Sequence, residues 1–187
     1  VLLIDTQGLF DSQLNIETTT TLFGLSTLIS SIQIYNIDKR IQEDNLQHLA
    51  LFSEYAKIVS KNNKKPFQHL NFLVRDWQHF DDINSYEKTL EQAKSYLQYI
   101  LDREGKGKDL VDTRKHIINC YEKISCSLLP HPGYKVAEGE YLNNMSDIRD
   151  VFINHAEKYA SELKDHITPK QILGRTIRLG EISTYIK

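Results

Sequence analysis

The first residues in this chain that could do chemistry are an acid at the end of an apolar run and a glycine three residues later. Val1-Leu2-Leu3-Ile4 reads as a buried strand, and Asp5-Thr6-Gln7-Gly8 follows it directly. Where a strand meets phosphate in a nucleoside triphosphatase, this order has a use. The carboxylate holds a Mg²⁺ ion, usually through water, and the glycine lets a backbone N–H approach the terminal phosphate. The competing reading is a strand followed by an ordinary type I turn.

Two further loops carry chemistry-bearing residues after apolar runs. Arg75-Asp76-Trp77 follows Leu70-Asn71-Phe72-Leu73-Val74. A carboxylate at Asp76 can accept two hydrogen bonds from guanine, at N1–H and the 2-amino group, whereas adenine offers neither in that geometry, so such a site discriminates strongly. Arg75 either lays its guanidinium along a base or anchors the loop. Alone, an Arg-Asp pair after a strand reads as an exposed charged turn, and Trp77 reads as a packing residue beneath it. Pro130-His131-Pro132-Gly133 ends a third run. Its prolines restrict the backbone and Gly133 permits a sharp turn, with His131 facing either a ligand or solvent.

The rest of the composition removes alternatives. No G-x-x-x-x-G-K-[ST] loop occurs, and Gly105-Lys106-Gly107-Lys108, flanked by Glu104 and Asp109, reads as a solvated connection between helices. A metal-binding acid without a phosphate loop leads to the expectation of a domain cut just upstream of Asp5. The net charge of −2 gives no broad phosphate-neutralising surface, which argues against nucleic acid as a partner. Lys61, Lys64 and Lys65, before Pro66, read as a helix C-terminus complementing its dipole. No apolar stretch is long enough to cross a bilayer. Cys120 and Cys126, the only cysteines, fit neither a zinc knuckle nor a redox pair and suggest a reducing compartment. His116 and Cys120 stand four apart on one helix, with no third metal ligand in sight.

Elements must bring the three loops together. Thr18, Thr19, Thr20 and Thr21 offer N-caps to a helix burying Leu22, Leu25, Leu28 and Ile29. A short strand follows with Ile32, Ile34 and Asn36 on one face, then a helix over residues 43–59 burying Leu46, Leu49, Phe52, Ala56 and Val59. After the strand at residues 70–74 and a polar loop to Ser85 come two helices, one with Leu90, Ala93, Leu97 and Ile100, the other with Leu110, Ile117, Tyr121 and Ile124. Residues 125–129 read as a strand, 146–163 as a helix, and 172–179 as a small hairpin around Gly174 before a final short helix. Strands alternating with helices imply an α/β fold with a mostly parallel sheet and helices on both faces. All strand carboxyl ends then share one edge, outside which ligands bind. The three loops converge there.

The segments V-L-L-I-D-T-Q-G, L-S-T-L-I-S-S-I-Q-I-Y-N, Q-E-D-N-L-Q-H-L, F-L-V-R-D-W and I-S-C-S-L-L-P-H-P-G-Y-K-V-A resemble the large GTPase domain of the atlastins, dynamin-like proteins that fuse endoplasmic-reticulum membranes. The resemblance covers most of the chain and is weakest over residues 81–108. It implies a dynamin-like large GTPase domain, truncated at its N-terminus, with residues 1–187 running from the D-T-Q-G motif to the domain's C-terminal end. It implies that Asp5 organises Mg²⁺ through water and that Gly8 contacts the γ-phosphate. It implies that Arg75 and Asp76 bind guanine, and that residues 130–136, including His131, Pro132, Gly133 and Val136, cap the base and contribute to a homodimer across the nucleotide-binding face. GTP and GDP are the implied ligands, Mg²⁺ the implied cofactor, and the endoplasmic-reticulum membrane the implied location. The GTPase domain would face the cytosol, and the membrane-associating segments would lie outside this chain. The catalytic residues are not assignable, and the chain by itself is expected to be inactive. The alternatives are a guanylate-binding-protein-like GTPase assembling on membranes and a degenerate, non-catalytic interaction module.

Overall fold

The computed structural model describes residues 1–6, 16–53, 65–103, 108–139, 144–172 and 175–181. A three-stranded parallel sheet organises them, with β1 (Ile32–Asp38), β2 (Phe67–Arg75) and β3 (Tyr121–Leu128) side by side in that order. Parallel strands need crossover connections. Here α2 (Glu43–Ser53) lies between β1 and β2, while α3 (Tyr86–Asp102) and α4 (Lys108–Cys120) lie between β2 and β3. α1 (Ile16–Ile29) precedes the sheet, and α5 (Tyr134–Ala137) and α6 (Asp150–His166) follow it.

A strand paired on both edges and covered on both faces reads as a continuous apolar run. β2 has that place, and Leu70, Phe72 and Val74 lose all contact with solvent. Tyr35 of β1 sits beside Phe72 in register, its ring 6.0 Å from Phe23 of α1. Asn71, the next residue in β2, faces the other way and takes a hydrogen bond from Tyr159 of α6 at 3.0 Å. Helices therefore cover both faces. Ser85 starts α3 as an N-cap, its side chain accepting from the Lys88 N–H. Buried Arg114 of α4 ties three helices, donating to the carbonyls of Ile100 and Leu110 and to Glu43 of α2.

The second face of the sheet is polar where α6 lands. Asn71 donates to Ser125 and Ser127 at 2.8 and 3.1 Å, and His69 Nε2 lies 2.7 Å from Ser125 Oγ. Burial, with help from Lys123 and His166, pulls the His69 pKa down to about 4, so the ring is neutral. The amino ends of the strands are closed by the C-terminal segment. Gln68 binds Thr168, Pro169 and Gln171, and Lys170 Nζ donates to the Ser30 carbonyl just past α1 at 2.8 Å. The hairpin of β4 (Gln171–Ile172) and β5 (Arg175–Thr176) stands there, as its sequence suggests, and residues 173–174 lie outside the described residues. The carboxyl ends of the strands are left to loops.

Several expectations change. Residues 1–4 form no strand: Val1 is fully exposed and Leu3 is 84% exposed. They run along the groove beside the outer edge of β1 without joining its ladder, so their apolar side chains find no second layer. In α1 the core face is Thr19, Thr20, Phe23 and Thr27, while the leucines are only half-buried. A threonine can turn inward because its hydroxyl is satisfied locally, as Thr27 Oγ1 donates to the Phe23 carbonyl at 2.8 Å. The four threonines lie inside the helix rather than capping it. β1 buries Tyr35 and Ile37, not the face of Ile32, Ile34 and Asn36. β2 starts three residues earlier than expected, at Phe67, and α4 stops at Cys120 so that Tyr121 opens β3. The helix expected from Ser146 starts at Asp150, behind a 3-10 turn over Met145–Asp147. A 3-10 turn occupies Leu179–Glu181, and the rest of the expected final short helix, residues 182–187, lies outside the described residues. α2 is described to Ser53, and the expected continuation through Ala56 and Val59 falls outside the described residues, as do Lys61, Lys64 and residues 104–107.

Candidate functional site

Three loops leave the carboxyl edge of the sheet, and hydrogen bonds tie them into one platform. After β1, the Lys39 N–H donates to the Arg75 carbonyl at 2.7 Å. After β2, the Trp77 N–H donates to the Leu129 carbonyl at 3.0 Å, and the Leu129 N–H returns a bond to Val74 at 2.9 Å. The residues after β1, β2 and β3 are thus stitched in strand order, and Asp76 lies in the middle.

Asp76 has φ of 55°, a left-handed conformation that aspartate tolerates better than most residues. Its neighbours are fixed on both sides: Arg75 through its carbonyl, Trp77 through its N–H. Its own carboxylate has no hydrogen-bond or ion-pair partner among the described residues. An anchored loop with a free carboxylate at its tip is an acceptor for two adjacent N–H groups of a ligand. Arg75 is exposed, and its Nε donates to Asn36 Oδ1 at 2.7 Å, which leans the guanidinium toward β1 and leaves its two terminal nitrogens available. Of the two roles open to Arg75, this contact fits the anchor. Trp77 packs under the loop, 9% exposed, with its ring 4.7 Å from that of Tyr96 on α3.

The loop after β3 is rigid for identifiable reasons. Pro130 is buried beneath it. His131 Nδ1 accepts from the Gly133 N–H at 3.0 Å, which places the proton of a neutral ring on Nε2. Gly133 has φ of 131°, a conformation that residues with a side chain rarely adopt, and an added Cβ there would only touch Arg149, at 3.4 Å, so the backbone and not the space requires glycine. The Arg149 N–H binds the Pro132 carbonyl at 2.8 Å, and its guanidinium reaches the His131 carbonyl, so α6 holds the loop from outside. Val136 lies half-buried in α5, next to exposed Tyr134.

Asp5 is exposed and carries no partner among the described residues. It lines one groove with Asn36, Asp38, Arg75 and Trp77, a groove of about 2010 Å³ that continues down the open edge of β1 to Ser30 and Lys170. Gly8 and Gln7 lie outside the described residues. No cluster of three His, Cys, Asp or Glu side chains occurs among the described residues. Among the described residues the expected Mg²⁺ donor is the Asp5 carboxylate, which would suit an ion that takes its other oxygens from phosphates and water. His116 Nε2 and Cys120 Sγ are 3.6 Å apart, and the structure brings them no third ligand among the described residues. Burial pushes the Cys126 thiol up to about 12, which leaves it an inert packing group.

The sequence singles out Arg75, Asp76 and the 130–133 loop as candidates but does not show what holds them. Asn36 and Lys39 carried a weak signal, polar residues just where a strand ends. Tyr96 carried none, because a tyrosine on a helix reads as packing.

Comparison with known proteins sets this geometry in a family. Residues 1–171 match the family described as guanylate-binding protein, N-terminal domain. Atlastin-2 of Xenopus laevis is 40% identical over 194 residues, a span covering all of this chain and 33% of that protein. Atlastin-2 of Homo sapiens is also 40% identical, with all of this chain and 32% of that protein covered. Atlastin-1 of Bos taurus is 42% identical over 192 residues, again all of this chain and 34% of that protein. The chain spans about a third of the length of these curated relatives. With an α/β parallel sheet, a platform of three loops at its carboxyl edge and this similarity along the whole chain, the protein belongs to the guanylate-binding-protein N-terminal domain family, within the atlastin group of dynamin-like GTPases.

Proposed function

We propose that this chain is the base-reading part of a large GTPase domain, and that the full-length protein binds and hydrolyses GTP to drive homotypic fusion of endoplasmic-reticulum membranes. The observation that carries the nucleotide reading is the Asp76 carboxylate, without a partner among the described residues and held in a left-handed turn between two anchored residues at the carboxyl edge of the sheet. The membrane reading rests on the atlastin relatives. No described helix is long and apolar enough to cross a membrane, so in this proposal the membrane-associating segments lie outside residues 1–187.

In this reading Asp76 accepts the N1–H and 2-amino protons of guanine. Arg75, leaning on Asn36, keeps the loop closed and offers its free nitrogens to the nucleotide. His131, Pro132, Gly133 and Val136 form a lid against the base, with Tyr134 exposed beside them for a second copy of the domain. Asp5 would hold Mg²⁺ through water, and Gly8 would donate its N–H to the γ-phosphate. Bound there, the ion neutralises charge on the β- and γ-phosphates. The domain would face the cytosol, and two copies would meet through the nucleotide-binding face.

The test is a fusion assay with full-length protein in liposomes. GTP with Mg²⁺ is expected to support lipid mixing, ATP is not, and Asp76→Ala is expected to abolish it. Lipid mixing that is indifferent to GTP contradicts the proposal.

A further inference from the structure

We propose that the turn after β1, backed by Tyr96 of α3, is a positioning device that fixes the Asp76 carboxylate in register for guanine. The inference rests on the assignment of Asp76 as the base reader. Asn36 and Tyr96 are positioning residues in it, since Asn36 acts through Arg75 and Tyr96 through Ile41 and Trp77.

Four contacts surround Asp76 through its two neighbours. Lys39, itself left-handed with φ of 57°, aims its N–H at the Arg75 carbonyl, 2.7 Å away. Asn36 Oδ1 accepts from Arg75 Nε at 2.7 Å. Two residues after Lys39, the Ile41 N–H donates to the Tyr96 hydroxyl at 2.8 Å, while the Tyr96 ring lies 4.7 Å from that of Trp77. The contacts form a closed ring: from Arg75 to the turn at residues 36–41, to Tyr96, to Trp77, and back through Asp76.

Two non-glycine residues with positive φ, one on each side of a single hydrogen bond, need such a frame. Each left-handed residue is disfavoured alone and persists where its surroundings over-determine it. The frame holds Asp76 at both neighbours and leaves its side chain free. The consequence is geometric. Two parallel hydrogen bonds from guanine require a carboxylate of fixed tilt, whereas phosphate contacts elsewhere do not depend on it. Loosening the frame costs base discrimination before it costs nucleotide affinity in general.

The experiment measures dissociation constants of GDP, IDP and ADP for the full-length protein. IDP lacks the 2-amino group, so the ratio of IDP to GDP constants reads the second hydrogen bond directly. Variants are Asp76→Ala, Tyr96→Phe, Asn36→Ala and Asn36→Asp. Tyr96→Phe removes one oxygen and keeps the ring against Trp77, and Asn36→Asp keeps an acceptor for Arg75. Asp76→Ala is expected to erase the preference for GDP over ADP. Tyr96→Phe and Asn36→Ala are each expected to lower the GDP preference over IDP and ADP by about three- to tenfold, with ADP binding unchanged, and Asn36→Asp is expected to restore the wild-type ratio. If Asp76→Ala erases the preference while Tyr96→Phe and Asn36→Ala keep the wild-type ratio, or weaken all three nucleotides equally, the positioning inference is overturned and the base reader stands. A preference that survives Asp76→Ala overturns the base reader and the inference with it.

Discussion

At the scale of single residues, the chain divides its work between groups that are free and groups that are fixed. Asp5 and Asp76 have carboxylates with no protein partner among the described residues, while Arg75, Trp77, His131 and Gly133 are each held by at least one backbone or side-chain bond. That contrast was half legible in the sequence. Acids after apolar runs are visible as a pattern, but the bonds that hold their neighbours come from residues 35 or more positions away, such as Asn36 on Arg75, and no local pattern encodes them. Asp5→Asn separates the two roles assigned here. It removes one charge from the proposed Mg²⁺ site and leaves the base contacts untouched, so hydrolysis by the full-length protein should fall far more than GDP affinity. Steady-state turnover and GDP titration run in parallel check this. Unchanged turnover, or equal losses in both, would return Asp5 to an ordinary turn.

At the scale of elements, the central strands were more legible than their limits. The run Leu70-Asn71-Phe72-Leu73-Val74 announces a central strand, because burial on both faces needs apolar residues throughout. The missed beginning of β2 contains Gln68 and His69, polar residues that the strand accommodates through Thr168 and Ser125. The same polar patch makes α6 docking sensitive to acid. His69 is neutral in the fold with its pKa lowered to about 4, whereas in the unfolded chain it titrates near 6.5. Between those values the unfolded state binds more protons, so the stability associated with a neutral His69 is fully present above pH 6.5 and is lost as pH falls toward 4. The loss should be on the order of 1–2 kcal/mol, less than the full shift implies because solvent screens part of the ring. Thermal unfolding between pH 7.5 and 5 should show a falling Tm that His69→Gln flattens. A His69→Gln protein with the wild-type pH slope would assign the effect to other groups.

At the scale of the whole molecule, the ends of the strands and the outer edge of β1 are treated differently. The C-terminal segment closes the strand amino ends, while the outer edge of β1 faces a groove lined, among the described residues, by the exposed residues 1–6 together with parts of α1 and α3. Open edges beside exposed apolar side chains recruit other strands. A polypeptide of residues 1–187 alone should therefore self-associate with rising concentration in sedimentation velocity, and a sharp monomer at tens of micromolar, in the range where weak interfaces already pair, would show that residues 1–4 shield the edge. The sequence misled at this point for a physical reason. An apolar tetrapeptide predicts a strand only if a partner strand offers a ladder, and that partner is a property of the molecule rather than of the run. The fold class was readable from the alternation of strands and helices. Of the three loops expected at one edge, those at Arg75–Trp77 and Pro130–Gly133 do follow parallel strands, whereas Asp5 follows no strand. The central claim is that Asp76 reads guanine there. Its most direct test is Asp76→Asn in the full-length protein, with GTP, XTP and ATP compared as substrates and ligands. An amide accepts at one atom and donates at the other, matching the N1–H and C2 carbonyl of xanthine, so GTP affinity should fall by about 2–3 kcal/mol while XTP becomes the preferred nucleotide. A variant that still prefers GTP over XTP and ATP as the wild type does would contradict the account.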